Sequence, residues 1–213
     1  MMKPVVFNYF GAMYPYILFL HIVTGGSSLL SGLIALSAKK GHRLHRLSGR
    51  VYLFAMTLVV FSSLTMSVIK PNPFLFSIGA FTLYMMLTGW RSVLNKSFIA
   101  SWYDWASCGA AMITGAWMIA QVQIVLLVFG CILCLMGLQD FLLYYRAANR
   151  KPHKIYWLQT HIGRMTGSYI ATTTAFLVVN IQLTPMWIIW LGPTLLGTIL
   201  IIYYTRTYRS AFR

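Results

Sequence analysis

Apolar residues run along this chain in blocks of roughly 20, the length of helix that crosses a hydrocarbon core, and short polar or basic stretches separate the blocks. This pattern predicts seven helices, at about 14–37, 49–69, 74–93, 101–120, 124–145, 156–180 and 186–205. Breakers mark several joins: Lys70-Pro71-Asn72-Pro73 after the second helix, the polar turn Gln121 to Gln123 after the fourth, and Gln182-Leu183-Thr184-Pro185 before the seventh. Residues 1–13 read as a short, mostly apolar lead. The first block is too long for a signal-peptide core and ends in glycines and serines, so it is expected to be retained as a helix. Within it, His21, Gly25, Ser28 and Gly32 fall at i, i+4, i+7 and i+11. They share a face whose small residues admit a close neighbour, and His21 is expected to make an interhelical hydrogen bond there. Trp102-Tyr103-Asp104-Trp105 opens the fourth helix as an interfacial aromatic belt.

Composition turns this pattern into a class. The chain is 59% hydrophobic and 9% charged, against about 25% charged in a soluble domain. No soluble core of this length hides so much apolar surface. The expectation is an all-α polytopic membrane bundle, one transmembrane domain over 1–213. The net charge of +15 suggests nucleic acid at first, but the basic residues sit in short loops between apolar blocks, which is the membrane pattern. With helices crossing alternately, 15 of the 17 Lys and Arg lie on one side, including Arg206, Arg209 and Arg213 of the tail; Lys3 and Lys70 lie on the other. The positive-inside rule then puts the N-terminus outside and the C-terminus in the cytoplasm. The partners implied are the lipid bilayer and anionic headgroups, with no nucleic acid. Cys108, Cys131 and Cys134 all lie within apolar blocks and read as helix-packing residues.

Residues 39–50 hold five basic residues and two histidines, His42 and His45. Residues 146–167 repeat the theme with His153 and His161, and Arg46-Leu47-Ser48-Gly49 matches Arg164-Met165-Thr166-Gly167. Helices 1–3 and 5–7 would then be parallel repeats joined by helix 4, as in some transporters. By depth, His42, His45, His153, His161, Asp104 and Asp140 form one cytoplasmic-side layer, and ionisable residues within spans are costly and often functional. Three chemistries fit this layer. A single haem b could be held by His45 and His161, with Gly49 and Gly167 leaving room for the ring and Arg46 and Arg164 (with Arg43) pairing the propionates; such a protein would need a redox partner. A divalent metal such as zinc could take His42, His45, His161 and Asp140, for an enzyme. Alternatively Asp140 and His161 could titrate in a proton or solute transporter. A structural or accessory subunit is the fourth reading: Asp140 pairs with Arg146 or Arg164, Asp104 pairs with Arg91 or Lys96, and the histidines lie among headgroups. A homo-oligomer fits any of these. No Gly-rich phosphate loop, nucleophile elbow or His-Glu-x-x-His string occurs, and the seventh helix holds no lysine.

The string from Gly41 to Tyr52, Gly-His-Arg-Leu-His-Arg-Leu-Ser-Gly-Arg-Val-Tyr, resembles the His-Arg-x-x-Gly-Arg-x-Tyr signature of the bacterial predicted membrane proteins called domain of unknown function 2306. The run from His161 to Ala171 is similar to a second motif of related chains, as are His21 with Gly25 and Gly26, and Gly192-Pro193-Thr194. The resemblance implies a multi-pass protein of the bacterial inner (plasma) membrane and no particular reaction. A looser likeness links the chain to b-type transmembrane cytochromes, from which it departs by lacking one histidine pair per leaflet.

Overall fold

The structure, a computed structural model, describes the backbone of residues 3–150, 152–182 and 184–210 and the side chains of 11–208 within those ranges. Lys3 and Arg209 as charges, with Lys151, Leu183 and Arg213, lie outside the described residues. Among the described residues, seven helices correspond to the seven apolar blocks: α1 (Lys3–Ser37), α2 (Arg43–Ile69), α3 (Pro73–Leu94), α4 (Trp102–Ala120), α5 (Ile124–Ala147), α6 (Tyr156–Asn180) and α7 (Trp187–Ser210). The described residues contain no strand. Five helices, α1, α2, α3, α5 and α7, are long and apolar enough to cross a membrane.

Two boundaries differ from expectation. Helix α1 begins at Lys3 and runs on through Pro15, so most of the expected lead is helical. Helix α2 begins at Arg43 rather than near 49. Gly41 takes a φ of +77°, a left-handed conformation that glycine adopts without a Cβ penalty. It turns the chain sharply, leaves His42 extended at the N-cap (φ −75°, ψ 168°), and lets Arg43, His45, Arg46 and Ser48 join the helix.

The chain divides into two compact units, Met1–Ala80 and Phe81–Arg213. In the first, α1 packs on α2. The buried residues of α2 (Tyr52, Ala55, Met56, Val59 and Val60) recur at helical spacing and form one apolar stripe. Facing residues of α1 are small and hydroxylic: Thr24, Ser28 and Ser31 are buried. Their hydroxyls return to carbonyls of their own helix, Ser28 to Gly25 at 2.8 Å and Ser31 to Ser27 at 2.7 Å, which satisfies them without a partner helix. His21 Nδ1 lies 2.9 Å from Ser62 Oγ on α2, the interhelical bond expected of it. Because the Ser62 hydroxyl already donates to Leu58 O at 2.7 Å, the imidazole is the donor. At the end of α1, the Lys40 ammonium folds back onto the Ala35 and Leu36 carbonyls. A cation there complements the helix C-terminus, and its partial burial lowers the Lys40 pKa below the ordinary lysine value.

In the second unit, α4 packs on α5, and α6 on α7. The α4–α5 contact is a meeting of backbones. A Cβ on Gly115 would lie 2.8 Å from Gly130 O and 2.6 Å from Cys134 Sγ, and one on Gly130 would lie 2.7 Å from Gly115 O. Small residues allow such approach between membrane helices. Cys108 and Cys134 are packed within this unit, and all three cysteines are free. Asp104 opens α4, where a carboxylate complements the helix N-terminus. It accepts from the Ser101 N–H at 2.8 Å and from Arg91 Nε and Nη2 at 3.0 and 2.9 Å. Lys96, the alternative partner, instead lies 4.5 Å over the Trp157 ring.

Candidate functional site

The site grows from a close approach of α6 to α3. A Cβ on Gly89 would lie 2.8 Å from Arg164 Cβ, and one on Gly167 would collide with the Met85 side chain. At this approach His161 Nδ1 sits 3.0 Å from Gly89 O; the carbonyl only accepts, so the proton is on Nδ1. One turn further along α6, Arg164 reaches Asp140 on α5. Its Nη2 donates to both carboxylate oxygens, at 2.9 and 3.0 Å, and Tyr84 of α3 donates to Oδ2 at 2.5 Å. Arg164 and Asp140 are each 6% exposed, so the pair is shielded from solvent. The guanidinium also lies 5.3 Å over the Tyr84 ring, a cation–π distance.

Arg164 Nη1 is buried and finds no hydrogen-bond partner among the described residues. Buried donors are nearly always paired, and this nitrogen, closed to water, is an exception within the packed wall. It belongs to a residue on the wall of a 460 Å³ cavity formed by α3, α5, α6 and α7, a size within the roughly 300–1,000 Å³ range of small-molecule sites. The lining is graded. Along α5 it passes from Phe129 and Ile132 to Gln139 and Asp140; along α6 it passes from Gln159, Thr160 and Arg164 to Ile170 and Ala171. The polar parts therefore meet where α5 ends and α6 begins. The apolar part includes Phe81, whose ring centroid is 5.1 Å from that of Phe129. Helix α7 adds Thr194, Thr198 and Thr205.

The residues singled out from sequence distribute unevenly around this site. Arg164, Gly167 and Asp140 line the cavity, and His161 braces α6 beside it. Arg164, offered as a propionate partner, is engaged by Asp140, and the space over Gly167, offered as room for a haem, is filled by Met85. Arg164–Asp140 and Arg91–Asp104 are two of the ion pairings expected from the sequence. The first unit holds the others. His45 Nδ1 donates to Ala35 O at 2.9 Å, Arg46 and His42 are exposed, and a Cβ on Gly49 would meet nothing within 4 Å. Arg164 lies more than two turns into α6, whereas its repeat counterpart Arg46 is in the first turn of α2. Among the described residues, no group of three or more His, Cys, Asp or Glu side chains is placed to hold a metal ion. Sequence reasoning missed Tyr84 and the cavity. The α7 threonines at i, i+4 and i+11 were a signal for the cavity face.

Residues 18–129, just over half of the chain, match the family described as predicted membrane protein, DUF2306. The chain belongs to this family of predicted membrane proteins. No curated protein and no solved structure matches it. The matched region includes the string from Gly41 to Tyr52, His21 and Tyr84, and ends within α5 at Phe129. The resemblance around His161 and around Gly192 lies beyond it, as do Asp140 and Arg164.

Proposed function

We propose that this membrane protein binds a small amphipathic solute in the cavity of its second unit, as a carrier of transporter type. One observation carries the reading: a cavity of about 460 Å³ whose wall combines a buried Arg164–Asp140 ion pair and uncharged polar groups with an apolar face at Phe81, Phe129 and Ile132. In this reading the polar end of the solute meets the uncharged polar wall at Gln139, Gln159 and Thr160, while Asp140 and Tyr84 hold the Arg164 guanidinium in place. The solute's apolar body lies against Phe81, Phe129 and Ile132.

The same reading extends to topology. We take all seven helices as spans, with the N-terminus outside, the C-terminus in the cytoplasm, and the basic loops against anionic headgroups of a bacterial inner membrane. Helix α6 is too polar for its average hydropathy to mark a span, yet Arg164, Thr166, Ser168 and Thr174 are buried. Polar side chains turned inward do not oppose insertion as lipid-facing ones do. The charge asymmetry of the loops supports the orientation.

The test is to purify the protein in lipid nanodiscs, release bound small molecules and identify them by mass spectrometry, beside a Thr194→Trp variant whose indole fills the cavity. A stoichiometric amphiphile in the wild type, lost in the variant, is expected; equal recovery from both would remove the reading. Uptake by proteoliposomes then separates carriage from binding alone. A second reading, haem ligation by His45 or His161, draws on the Nδ1–H bond each makes to a backbone carbonyl, the kind of bond that orients ligating imidazoles. A Soret band after expression with ample haem, lost on replacing the histidine, tests it.

A further inference from the structure

We infer that the cavity is a slot for one long hydrocarbon chain, and that its ligand is a single-chain lipid lying along the helices with its polar head where α5 ends and α6 begins. This rests on the solute-binding reading above and names the class of its ligand.

The lining residues form stripes that run along the helices. On α5 they are Phe129, Ile132, Met136, Gln139 and Asp140, and on α7 they are Thr194, Thr198, Ile201 and Thr205. Steps of three and four residues keep each set on one helix face. On α6 the stripe runs from Tyr156, Gln159 and Thr160 through Gly163 to Ile170 and Ala171. The α5 and α7 stripes each cover about 17 Å, at a rise of about 1.5 Å per residue. A volume of 460 Å³ spread over that length is an elongated slot rather than a round chamber. Its length is near half of a hydrocarbon core roughly 30 Å thick, the depth to which the chains of one leaflet reach.

Polarity follows the same axis. Gln139, Tyr156, Gln159 and Thr160 lie at the end beside the α5–α6 join, and Phe81, Phe129, Ile170 and Ala171 lie at the other. A compact solute would fill one end and leave the other empty; a chain with a polar head matches both. Nothing between the ends asks for a polar partner. Thr198 returns its hydroxyl to Thr194 O at 2.7 Å, which satisfies it within α7. Asp140 and Arg164 are paired with each other and almost wholly buried. Gly163 keeps the middle of the slot open, since a Cβ there would reach Ile201 Cγ2 at 3.9 Å. In the proposed orientation the polar end stands at the cytoplasmic headgroups, so head and chain take the depths they have in that leaflet. Gln139 and Thr198 line the slot and are also exposed, as are Leu138 and Ile199 beside them. That gives a side opening between α5 and α7 through which a chain enters from the bilayer.

The inference is tested by photolabelling the full chain in phosphatidylcholine nanodiscs with two hexadecanoate analogues, one carrying a diazirine beside the carboxylate and one beside the terminal methyl. Peptide mass spectrometry then locates the adducts. The head-end probe is expected to label Gln159 or Thr160, and the methyl-end probe Phe129 or Ile132. Both labels are expected to vanish under excess unlabelled hexadecanoate, and the methyl-end label is expected to be lost in Thr194→Trp. A photoreactive octanol serves as the compact amphiphile. If it labels the slot competably while the long probes mark the lipid-facing Leu135 and Leu195 alone, the inference is overturned and the solute-binding reading stands. Slot labelling with head and methyl ends reversed, or undiminished by excess hexadecanoate, also overturns the inference. Competable slot labelling by none of the three probes overturns both. The positions are read on the wild type, so a misfolded Thr194→Trp protein does not remove the test.

Discussion

Removing Asp140 is the perturbation whose size follows most directly from the geometry. Its carboxylate takes two bonds from Arg164 Nη2, at 2.9 and 3.0 Å, and one from Tyr84 at 2.5 Å. Both members of the ion pair are buried. Asparagine keeps the shape but offers one acceptor oxygen and turns an amide donor toward the guanidinium or the phenol. Arg164 then carries an uncompensated charge in the interior. Breaking a buried pair in this way costs about 3–5 kcal/mol. Tyr84→Phe removes one hydrogen bond to a charged group and is expected to cost about 1.5–3 kcal/mol. The double replacement Asp140→Leu with Arg164→Met removes both charges and is expected to cost less than Asp140→Asn alone, because neither charge is left stranded. Unfolding in mixed dodecylmaltoside–dodecyl sulfate micelles, followed by tryptophan fluorescence, measures all three. The reasoning fails if Asp140→Asn costs under about 1 kcal/mol, the value of a solvated surface pair, or if the double variant costs as much as Asp140→Asn or more.

The glycine contacts separate positions that look alike in sequence. Gly115→Val drives a side chain into Cys134 Sγ and the Gly130 carbonyl and is expected to destabilise by about 1–3 kcal/mol. Gly49→Ala meets nothing within 4 Å and is expected to fall within about 0.5 kcal/mol of wild type; thermal unfolding in detergent checks both. His21→Ala and Ser62→Ala each remove the α1–α2 bond, at a cost near the ~0.6 kcal/mol average for interhelical hydrogen bonds in membranes, and the double variant should lose little more than one single. For topology, a green fluorescent fusion at the C-terminus should glow and an alkaline phosphatase fusion after Asn72 should be active. A dark C-terminal fusion would contradict the proposed orientation.

The helices were legible because each apolar block is long enough to be a membrane-length helix and the breakers between blocks are chemically plain. Helix starts were less so. Residues 43–48 look like a basic loop by composition, and what places them in α2 is the backbone at Gly41, whose left-handed φ closes the turn earlier than the polarity suggests. The ion pairs were legible because the chain has two acids, so each had few candidate partners. Asp140 chose Arg164 on α6 over Arg146 on its own helix. The haem and zinc readings grouped residues by depth along the chain. Depth does not say which way a ring points; the structure adds that His161 and His45 each give Nδ1–H to a nearby carbonyl, a bond compatible with ligation through Nε2.

Tyr84 and the cavity were hidden for a different reason. One tyrosine among 13 carries no mark of its role until α3, α5 and α6 are in place around it. The polarity of α6 is the clue that connects fold and function. A helix carrying Gln159, Thr160, His161, Arg164 and a run of threonines to Thr174 lowers its own fitness for the bilayer. If those residues served only to anchor the helix among headgroups, they would cluster at its end and stay exposed. Instead Arg164, Thr166, Ser168 and Thr174 are buried over nearly three turns. Arg164 is held by an acid from α5 and a phenol from α3 rather than by lipid phosphate. A buried arginine whose Nη2 is held by an acid, over the ring of Tyr84, is poorly explained by helix packing alone, since packing would favour an apolar residue of the same volume. The pair forms part of a cavity wall, and that is why the cavity, rather than the histidine-rich loop, is where the chemistry of this protein should be sought first.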